Sequence, residues 1–460
     1  MWSDIELTYV LIMAHFLIYI IAIWLTLYPE VTVFHLVTAT QLIAFVIRPF
    51  LAAISGGYTL YLKNGDWSLY NWGLVYQLIF FIFYFIGYLM IKKFKKVNAL
   101  NLNYSSDGEE KRISYRLFKA YLLSVFLGFF SAILMNLLSN GKWLPTMRNV
   151  TVTTAVPMGK VLFPMAVLPL TMSIPLSFIL YKKNPRFLPL SLGGVLFSFL
   201  LLSLLYQRGF ILMGLIVIVF FANRFLKKIG YLKVGMIVLL LIFLLSIIRP
   251  VANIISYSFF KNSKNEVSSV TQIISTEYLM ERIKHFFLYS PNFDSIDVWP
   301  IAISSVEENG LLGGKTFLAI PARFLTTKMR QNLNLITAVD YLNSYYWGNK
   351  YWDTSFGFNV ILPQELYLNF GWVSMIFGLI PGIITALIDR WLWQISKLNI
   401  IDIYLIGAAF FTGGFIGEIG GILQWFVAFL IIGIIIDYTS RIKFNLNYNT
   451  YKFNRKDEMN

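Results

Sequence analysis

The chain has 460 residues, of which 57% are hydrophobic and only 13% are charged, and its mean hydropathy is +0.66. This composition lies far from that of a soluble globular domain and indicates a membrane protein. There is no cysteine, which excludes disulfides, thiolate metal sites and a cysteine nucleophile. The three histidines, His15, His35 and His285, are too scattered to form a histidine metal centre.

Apolar runs of about 18–22 residues recur along the chain, and each is long enough to cross a hydrocarbon core of about 30 Å. They predict an all-α polytopic membrane protein with about 11 transmembrane helices, within a range of about 10–12. The predicted spans lie near residues 8–28, 32–54, 72–91, 117–138, 156–181, 188–206, 209–222, 231–250, 366–388, 400–417 and 421–437. The proline-containing run from Val156 to Pro175 is expected to be irregular. The first run follows Asp4 and Glu6 and is followed by no small-residue cleavage site, so we expect a retained span and not a signal peptide.

The net charge of +15 is concentrated in short connections between the predicted spans. The basic clusters are KKFKK (92–96), KRISYRLFK (111–119), KKNPR (182–186), NRFLKK (223–228) and the tail from Arg441. These clusters all fall on one side of the membrane, which is the asymmetry typical of cytoplasmic loops. The basic excess therefore indicates topology and not nucleic-acid binding, with the N-terminus outside and the C-terminus in the cytoplasm.

This topology divides the chain into four parts. We predict a bundle of about eight spans in residues 1–250, a large outward-facing loop in 251–365, about three spans in 366–440 and a cytoplasmic tail in 441–460. The loop is nearly neutral, with 9 Lys and Arg against 10 Asp and Glu. Within it, STEYLMERIKHFFLY (275–289) has apolar residues at helical spacing, which predicts an amphipathic helix on the outer membrane surface or over the site.

Three arginines lie toward the outer ends of predicted spans, where the topology does not call for positive charge. These are Arg48 in the second span, Arg208 in a tight turn between two spans and Arg249 at the end of the span before the loop. An arginine within a span costs several kcal/mol unless it is paired or hydrated. Each arginine therefore has two possible roles. In the first, it contacts lipid phosphates or pairs with a buried acid. In the second, it helps to form a pocket for an anionic headgroup. A guanidinium suits the second role because it donates bidentate hydrogen bonds to phosphate.

The loop adds four cations, Lys315, Arg323, Lys328 and Arg330. They are either ordinary surface charges or further parts of the same anion-binding pocket.

The stretch YLNSYYWGNKYWDTSFGF (341–358) contains eight aromatic residues, among them Trp347 and Tyr351. Such rings form either an aromatic belt at the membrane interface or a platform for sugar rings. Both roles are compatible with one another.

Two carboxylates lie at the outer ends of late spans. Glu365 in LPQELYLNFGW is predicted to orient an arginine or to activate an acceptor hydroxyl, with Tyr367 and Asn369 lining the pocket. Its alternative role is that of a first-turn carboxylate that is favourable to the helix dipole. Glu418 in GGFIGEIGGI competes for the role of base, because an acid in such apolar company needs a partner or a raised pKa.

The order of short motifs resembles that of the Wzy-type O-antigen and oligosaccharide-repeat-unit polymerases. The motifs are IRP in the second span, QRG between two spans, then IPARF, FGFN and ELYLNFGW before a late span. The resemblance extends over most of the chain in topology and rests on these five places. It implies a glycosyltransferase of the GT-C class at the outer face of the cytoplasmic membrane, with no cofactor.

The resemblance also implies roles for particular residues. The family's arginines fall on Arg48, Arg208 and Arg323, and its glutamate before the late span falls on Glu365. The sequence departs from many members in PARFLTTKMR, where they carry a second proline and a Trp-Pro pair. The roles of Lys328 and Arg330 in that stretch therefore stay open.

Such enzymes transfer a glycan from polyprenyl pyrophosphate to the non-reducing end of another lipid-linked repeat unit. The partners would be this donor and acceptor, the bilayer, and a chain-length regulator and a flippase. Because the sequence shows no carboxylate cluster suited to a metal, we expect arginines to stabilise the leaving pyrophosphate. Two alternatives stay open, namely a lipid-linked glycan ligase of the same fold and a polysaccharide transporter or flippase.

Overall fold

The computed structural model describes residues 3–26, 32–55, 67–91, 107–140, 157–205, 207–225, 294–354, 357–395, 398–413 and 417–442. Within these ranges the regular secondary structure is helical and no strand forms. Eight of the described helical stretches are long and apolar enough to cross a membrane. The protein is therefore an all-α, multi-pass membrane protein, as its composition predicts.

The described part of the first half of the chain is helical. Its helices are α1 (Asp4–Leu25), α2 (Val33–Leu42), α3 (Arg48–Ile54), α4 (Trp67–Ile91), α5 (Asp107–Asn140), α6 (Pro157–Lys183), α7 (Leu188–Leu204) and α8 (Arg208–Phe225). A π-helical turn, Ile43–Ile47, joins α2 to α3, so that the two form one span.

The second half combines short helices with three further apolar helices. Its helices are α9 (Trp299–Asn309), α10 (Lys315–Leu318), α11 (Thr327–Asn332), α12 (Ala338–Trp347), α13 (Asn349–Thr354), α14 (Leu362–Phe370), α15 (Leu379–Gln394), α16 (Ile400–Gly413) and α17 (Ile419–Arg441). Short 3-10 turns occur at Asp294–Ile296, Ile320–Phe324 and Gly371–Gly378, and the last of these joins α14 to α15 in one continuous span.

The predicted spans that fall in the described ranges are all helical. Two of them are shorter than a full span, since their apolar parts are Gly209–Asn223 and Ile400–Thr412. The predicted span 231–250, Arg249 and the amphipathic helix at 275–289 lie outside the residues that the structure describes. The count of about 11 spans therefore stays a prediction.

The proline-rich run that we expected to be irregular forms one helix, α6. It contains Pro164, Pro169 and Pro175, each of which removes a backbone donor. The helix is the most deeply buried of the candidate spans and packs against α5, α7 and α8. Prolines are tolerated in such a helix because neighbouring helices support the interrupted backbone.

Helix α4 and the span that contains α15 pack closely against each other at two glycines of that span. A Cβ on Gly382 would lie 2.0 Å from the carbonyl oxygen of Tyr84, and one on Gly378 would lie 2.4 Å from that of Phe80. The two glycines are four positions apart and so share one helix face. This small-xxx-small spacing allows close backbone packing, which is how helices associate within a bilayer.

Contacts between helix termini define the two ends of the bundle. At one end, Asp389 near the end of α15 accepts hydrogen bonds from the backbone N–H groups of Val33 and Phe34 at the start of α2. It also accepts one from the hydroxyl of Tyr88, near the end of α4. The opposite end, which we call the loop end, is formed by the starts of α4, α14 and α17, and residues 294–354 pack on it.

Candidate functional site

An ion pair between Arg323 and Glu418 lies at the centre of the loop end. Arg323 belongs to the 3-10 turn Ile320–Phe324, and Glu418 is the residue before the first turn of α17. The guanidinium Nε and the carboxylate Oε1 are 3.0 Å apart, and the Arg323 side chain is 21% exposed while that of Glu418 is 2% exposed. The N–H does not point at the oxygen, so neither atom makes a hydrogen bond within the described part of the chain. The pair is therefore electrostatic and incompletely satisfied.

The second oxygen of Glu418 is fixed by the backbone. Its Oε2 accepts a hydrogen bond of 2.7 Å from the N–H of Val339 in the first turn of α12. Two glycines, Gly420 and Gly421, follow in α17, and a Cβ on Gly421 would lie 3.8 Å from the guanidinium of Arg323. The absence of side chains here leaves the guanidinium beside the open first turn of the helix.

Glu365 ties three elements of the site together and is 1% exposed. Its Oε1 accepts a hydrogen bond of 2.9 Å from the hydroxyl of Thr316 in α10. Its Oε2 accepts one of 2.7 Å from the backbone N–H of Ile419, the residue next to Glu418. Glu365 thus holds the start of α17, next to Glu418, which pairs with Arg323.

Asn369, one turn after Glu365, holds the turn that leads into α10. Its amide donates to the hydroxyl of Thr316 and to the carbonyl of Glu365, both at 2.7 Å. Its oxygen accepts from the N–H of Gly314 at 2.9 Å. Gly313 and Gly314 have φ angles of 59° and 88°, which L side chains rarely adopt. Residues 310–316, with the sequence GLLGGKT, therefore form a turn that packs on α14.

A second ion pair, between Arg330 and Asp340, supports this region. Nε and Nη2 of Arg330 donate to the two carboxylate oxygens at 2.6 and 2.7 Å, and the side chains are 1% and 0% exposed. The hydroxyls of Thr337 and Tyr351 donate to the same carboxylate at 3.0 and 2.6 Å. Burial alone would raise the pKa of Asp340, but the hydrogen bonds and charge of Arg330 outweigh it, and the pKa is lowered. Burial likewise opposes the charge of Arg330, yet Asp340 raises its pKa.

A third ion pair joins Arg48 to Asp297. The Nη2 and Nε atoms of Arg48 donate to one carboxylate oxygen at 2.6 and 3.2 Å, and both side chains are 0% exposed. Arg48 directly follows the π-helical turn and its N–H bonds to the carbonyl of Ile43. Pro49 follows and cannot donate a backbone hydrogen bond, which favours such a local change of helical register. Arg48 is therefore paired with a buried acid, and its role in an anion-binding pocket stays a prediction.

Other predicted site residues lie in the same region without joining the ion pairs. Lys328 on α11 is exposed. Trp347 is half-buried at the end of α12, and the ammonium of Lys350 lies 5.7 Å from its ring centroid. Tyr367 is buried against the rings of Tyr76, Trp299 and Trp372.

Arg208 begins α8 at the loop end. Two residues further on, the ring of Phe210 packs against Phe411 at 4.9 Å and against Trp425 at 5.1 Å. Phe411 is near the end of α16 and Trp425 is near the start of α17, so the start of α8 lies close to the helix that Glu418 precedes. The structure thus brings the backbone of Arg208 to the same end of the bundle as Arg323.

Three polar residues in these contacts, namely Asp297, Asp340 and Thr316, were not predicted from the sequence. One signal for Asp340 was present, because Thr337 and Asp340 have the spacing of a helix N-terminal cap, and they form a capping box. Within the described ranges, no group of three or more His, Cys, Asp or Glu side chains is placed to hold a metal ion.

Comparison with models of protein families, with curated proteins and with solved structures finds no match to this chain. The structure by itself defines a multi-pass helical membrane protein with a charged cluster at one end of its bundle.

Proposed function

We propose that the protein is a membrane-embedded glycosyltransferase that polymerises polyprenyl-pyrophosphate-linked oligosaccharide repeat units, as the Wzy-type polymerases do. The observation that carries the proposal is the incompletely satisfied pair of Arg323 and Glu418 at the loop end. The partly exposed guanidinium offers hydrogen-bond donors to an anionic ligand, and the adjacent carboxylate offers a base. Glycosyl transfer from a pyrophosphate uses a cation at the leaving phosphate and a base at the acceptor hydroxyl, and this pair supplies one of each.

In this reaction the bond between C1 of the donor sugar and the pyrophosphate oxygen breaks, and its electron pair leaves with the polyprenyl pyrophosphate. A new bond forms between C1 and the acceptor hydroxyl oxygen, and the hydroxyl proton passes to a carboxylate. Arg323 stabilises the charge that develops on the leaving phosphate. Glu418 accepts the proton once the guanidinium has turned from it to the phosphate.

Glu365 is a positioning residue in this mechanism. Its two hydrogen-bond donors, Thr316 and the N–H of Ile419, occupy one oxygen each, and the side chain is almost fully buried. It fixes the first turn of α17 and with it the orientation of Glu418. Arg330, itself paired with Asp340, supports the turn of Arg323 because its Nη1 donates a hydrogen bond to the carbonyl of Leu325, the residue after that turn.

The topology that belongs to this proposal has about 11 spans, with residues 251–365 as a large loop outside the cytoplasmic membrane. Charges at the two ends of the bundle support it. At the loop end, Arg48, Arg323 and Arg330 are each paired with a carboxylate. At the opposite end lie several basic residues typical of a cytoplasmic face, namely Lys119, Lys182, Lys183, Arg186 and Arg441. A flippase that supplies the units and a chain-length regulator would be its partners.

To test this proposal, a strain that lacks the gene is complemented with the Arg323→Lys or the Glu418→Gln variant. The surface glycan of each strain is then resolved by size. Loss of a transition-state donor or a base lowers the rate by about 10²–10³-fold, so we expect single repeat units in place of a ladder. Arg186→Lys and Glu308→Gln make the same chemical changes at exposed positions outside the cluster and should leave the ladder intact.

The outcome distinguishes the alternatives. A null strain that accumulates full-length polymer on polyprenyl pyrophosphate would indicate a ligase. A null strain that accumulates single lipid-linked units at the cytoplasmic face would indicate a flippase. A normal ladder from well-expressed Arg323→Lys and Glu418→Gln variants would remove the cluster from the mechanism.

A further inference from the structure

Residues 310–334, which we call the interfacial segment, expose large apolar side chains. The exposed fractions are 52% for Leu311, 81% for Leu318, 51% for Phe324, 41% for Met329 and 57% for Leu333. The value for Leu318 is higher than that of any other large apolar side chain in the described part of the chain. A concentration of exposed apolar side chains of this kind marks an interaction surface.

The interfacial segment continues the apolar outer surface of a span. The N–H of Leu312 donates to the carbonyl of Leu368 at 2.9 Å, which fixes the segment on α14. The ring of Phe317 stacks on Phe370 at 5.7 Å, and Phe370 in turn contacts Phe377 at 5.7 Å in the span.

Beyond these rings the span itself is apolar and exposed. Val373 is 72% exposed, Ile376 49% and Ile380 56%, which is typical of a helix surface that faces lipid. The apolar surface of the segment is therefore contiguous with the surface that the bilayer covers.

The charges of the interfacial segment complement an anionic surface. No Asp or Glu occurs between Gly310 and Val339 in the sequence. Two of its four cations are held by Glu418 and Asp340. The other two, Lys315 and Lys328, are exposed and make no ion pair with any residue that the structure describes. Lysines that flank an apolar surface in this way are typical of a segment that lies in the headgroup region of a membrane.

We infer that the interfacial segment lies in the boundary between headgroups and acyl chains, with Leu318 inserted among the acyl chains. Lys315 and Lys328 contact the phosphates of anionic lipids in this arrangement. The occupant of the surface is the bilayer itself. The inference concerns lipid contact alone and stands whether or not the protein is a glycosyltransferase.

The test uses the full chain, which has no cysteine of its own. Leu318→Cys and the matched control Asn349→Cys, an exposed position in α13, each receive a nitroxide label in vesicles of phosphatidylcholine and phosphatidylglycerol. Collisions with oxygen, which concentrates in acyl chains, and with a water-soluble nickel chelate are then measured. We expect an oxygen-to-nickel collision ratio several-fold higher at position 318 than at position 349. Equal ratios would place the segment in water, and low collision rates with both reagents would show that protein covers it; either result overturns the inference.

A second measurement addresses the lysines. Association of spin-labelled phosphatidylglycerol is compared between the unaltered chain and the Lys315→Gln/Lys328→Gln variant, with Lys350→Gln as the control. We expect a roughly fivefold weaker preference for the anionic lipid for each lysine removed from the segment. An unchanged preference in the double variant would overturn the assignment of the lysines to lipid phosphate.

Discussion

Arg330 and Asp340 face each other through two parallel hydrogen bonds of 2.6 and 2.7 Å, outside the helices that are long and apolar enough to cross a membrane. The pKa of Asp340 is lower in the folded protein than its ordinary value of 3.8. A depressed carboxyl pKa stabilises the fold fully above the unfolded pKa, and this contribution is lost as the pH falls through the folded value.

We therefore expect the thermal midpoint to fall in acid, below about pH 4, because protonation of Asp340 breaks its pair with Arg330. Asp340→Asn should lower the midpoint at neutral pH, since it leaves Arg330 buried with a weakened partner, at a cost of about 3–5 kcal/mol. The variant should also lose part of the acid dependence. Midpoints measured in detergent against pH test this, and an acid dependence that is unaltered in the variant would contradict it.

The close approach of α4 and α15 predicts a large effect from a single methyl group. Gly382→Ala places a Cβ where the carbonyl oxygen of Tyr84 lies 2.0 Å away, so one backbone must move. We expect a loss of about 1–3 kcal/mol in the free energy of unfolding. Gly193→Ala is the matched control because nothing lies within 4 Å of its Cβ, and it should be stabilising by about 0.5–1 kcal/mol. Equal effects at the two sites would refute the packing argument.

The pair of Arg48 and Asp297 predicts non-additive stability effects. Arg48→Met leaves a buried carboxylate without its cation and should cost about 3–5 kcal/mol. Asp297→Leu should cost a similar amount for the opposite reason. The double variant should be more stable than either single variant, because it leaves no uncompensated charge. A thermal-shift series in detergent measures this, and simple addition of the two losses would show that the charges are not coupled.

Arg208 is predicted to act on the leaving pyrophosphate together with Arg323. Both Arg208→Lys and Arg208→Ala should lower polymer formation by about 10²–10³-fold, since a lysine cannot reproduce the bidentate contact. Polymer formation in membranes supplied with lipid-linked repeat units, at equal expression, is the measurement. Full activity of the alanine variant would assign Arg208 a structural role.

The orientation of the bundle predicts a labelling pattern. Asn349→Cys at the loop end should react with a membrane-impermeant thiol reagent in intact cells, whereas Arg186→Cys at the opposite end should react only after lysis. Both positions are exposed in the structure, so accessibility within the protein does not limit either reaction. The reverse pattern would invert the proposed topology.

Hydropathy predicted the helical class and the approximate positions of the described spans, because burial in lipid demands long apolar runs with an internally satisfied backbone. The apolar surroundings of Arg48 and Glu418 also indicated that these two residues need partners. The identity of those partners depends on contacts across the fold. Asp297 is 249 positions from Arg48, and nothing in the local sequence distinguishes it from an ordinary loop acid.

The proline-rich helix α6 shows that secondary structure, too, cannot be predicted from local sequence alone. Local propensity predicts a break at each proline, but surrounding helices keep the segment helical. Glu365 is an example within the site. Its position before a predicted span suggested a role, but only the structure shows that it accepts a hydrogen bond from the start of another span, α17. Tertiary contacts thus decided what local patterns left open.

The separation of Arg48 and Asp297 has a consequence for biogenesis. At a synthesis rate of about 5–20 residues per second, a ribosome needs about 12–50 s to advance from Arg48 to Asp297. During that interval the second span carries an arginine whose final counter-ion does not yet exist. Because an arginine within a span costs several kcal/mol unless it is paired or hydrated, we expect this side chain to stay hydrated until the later segment has emerged.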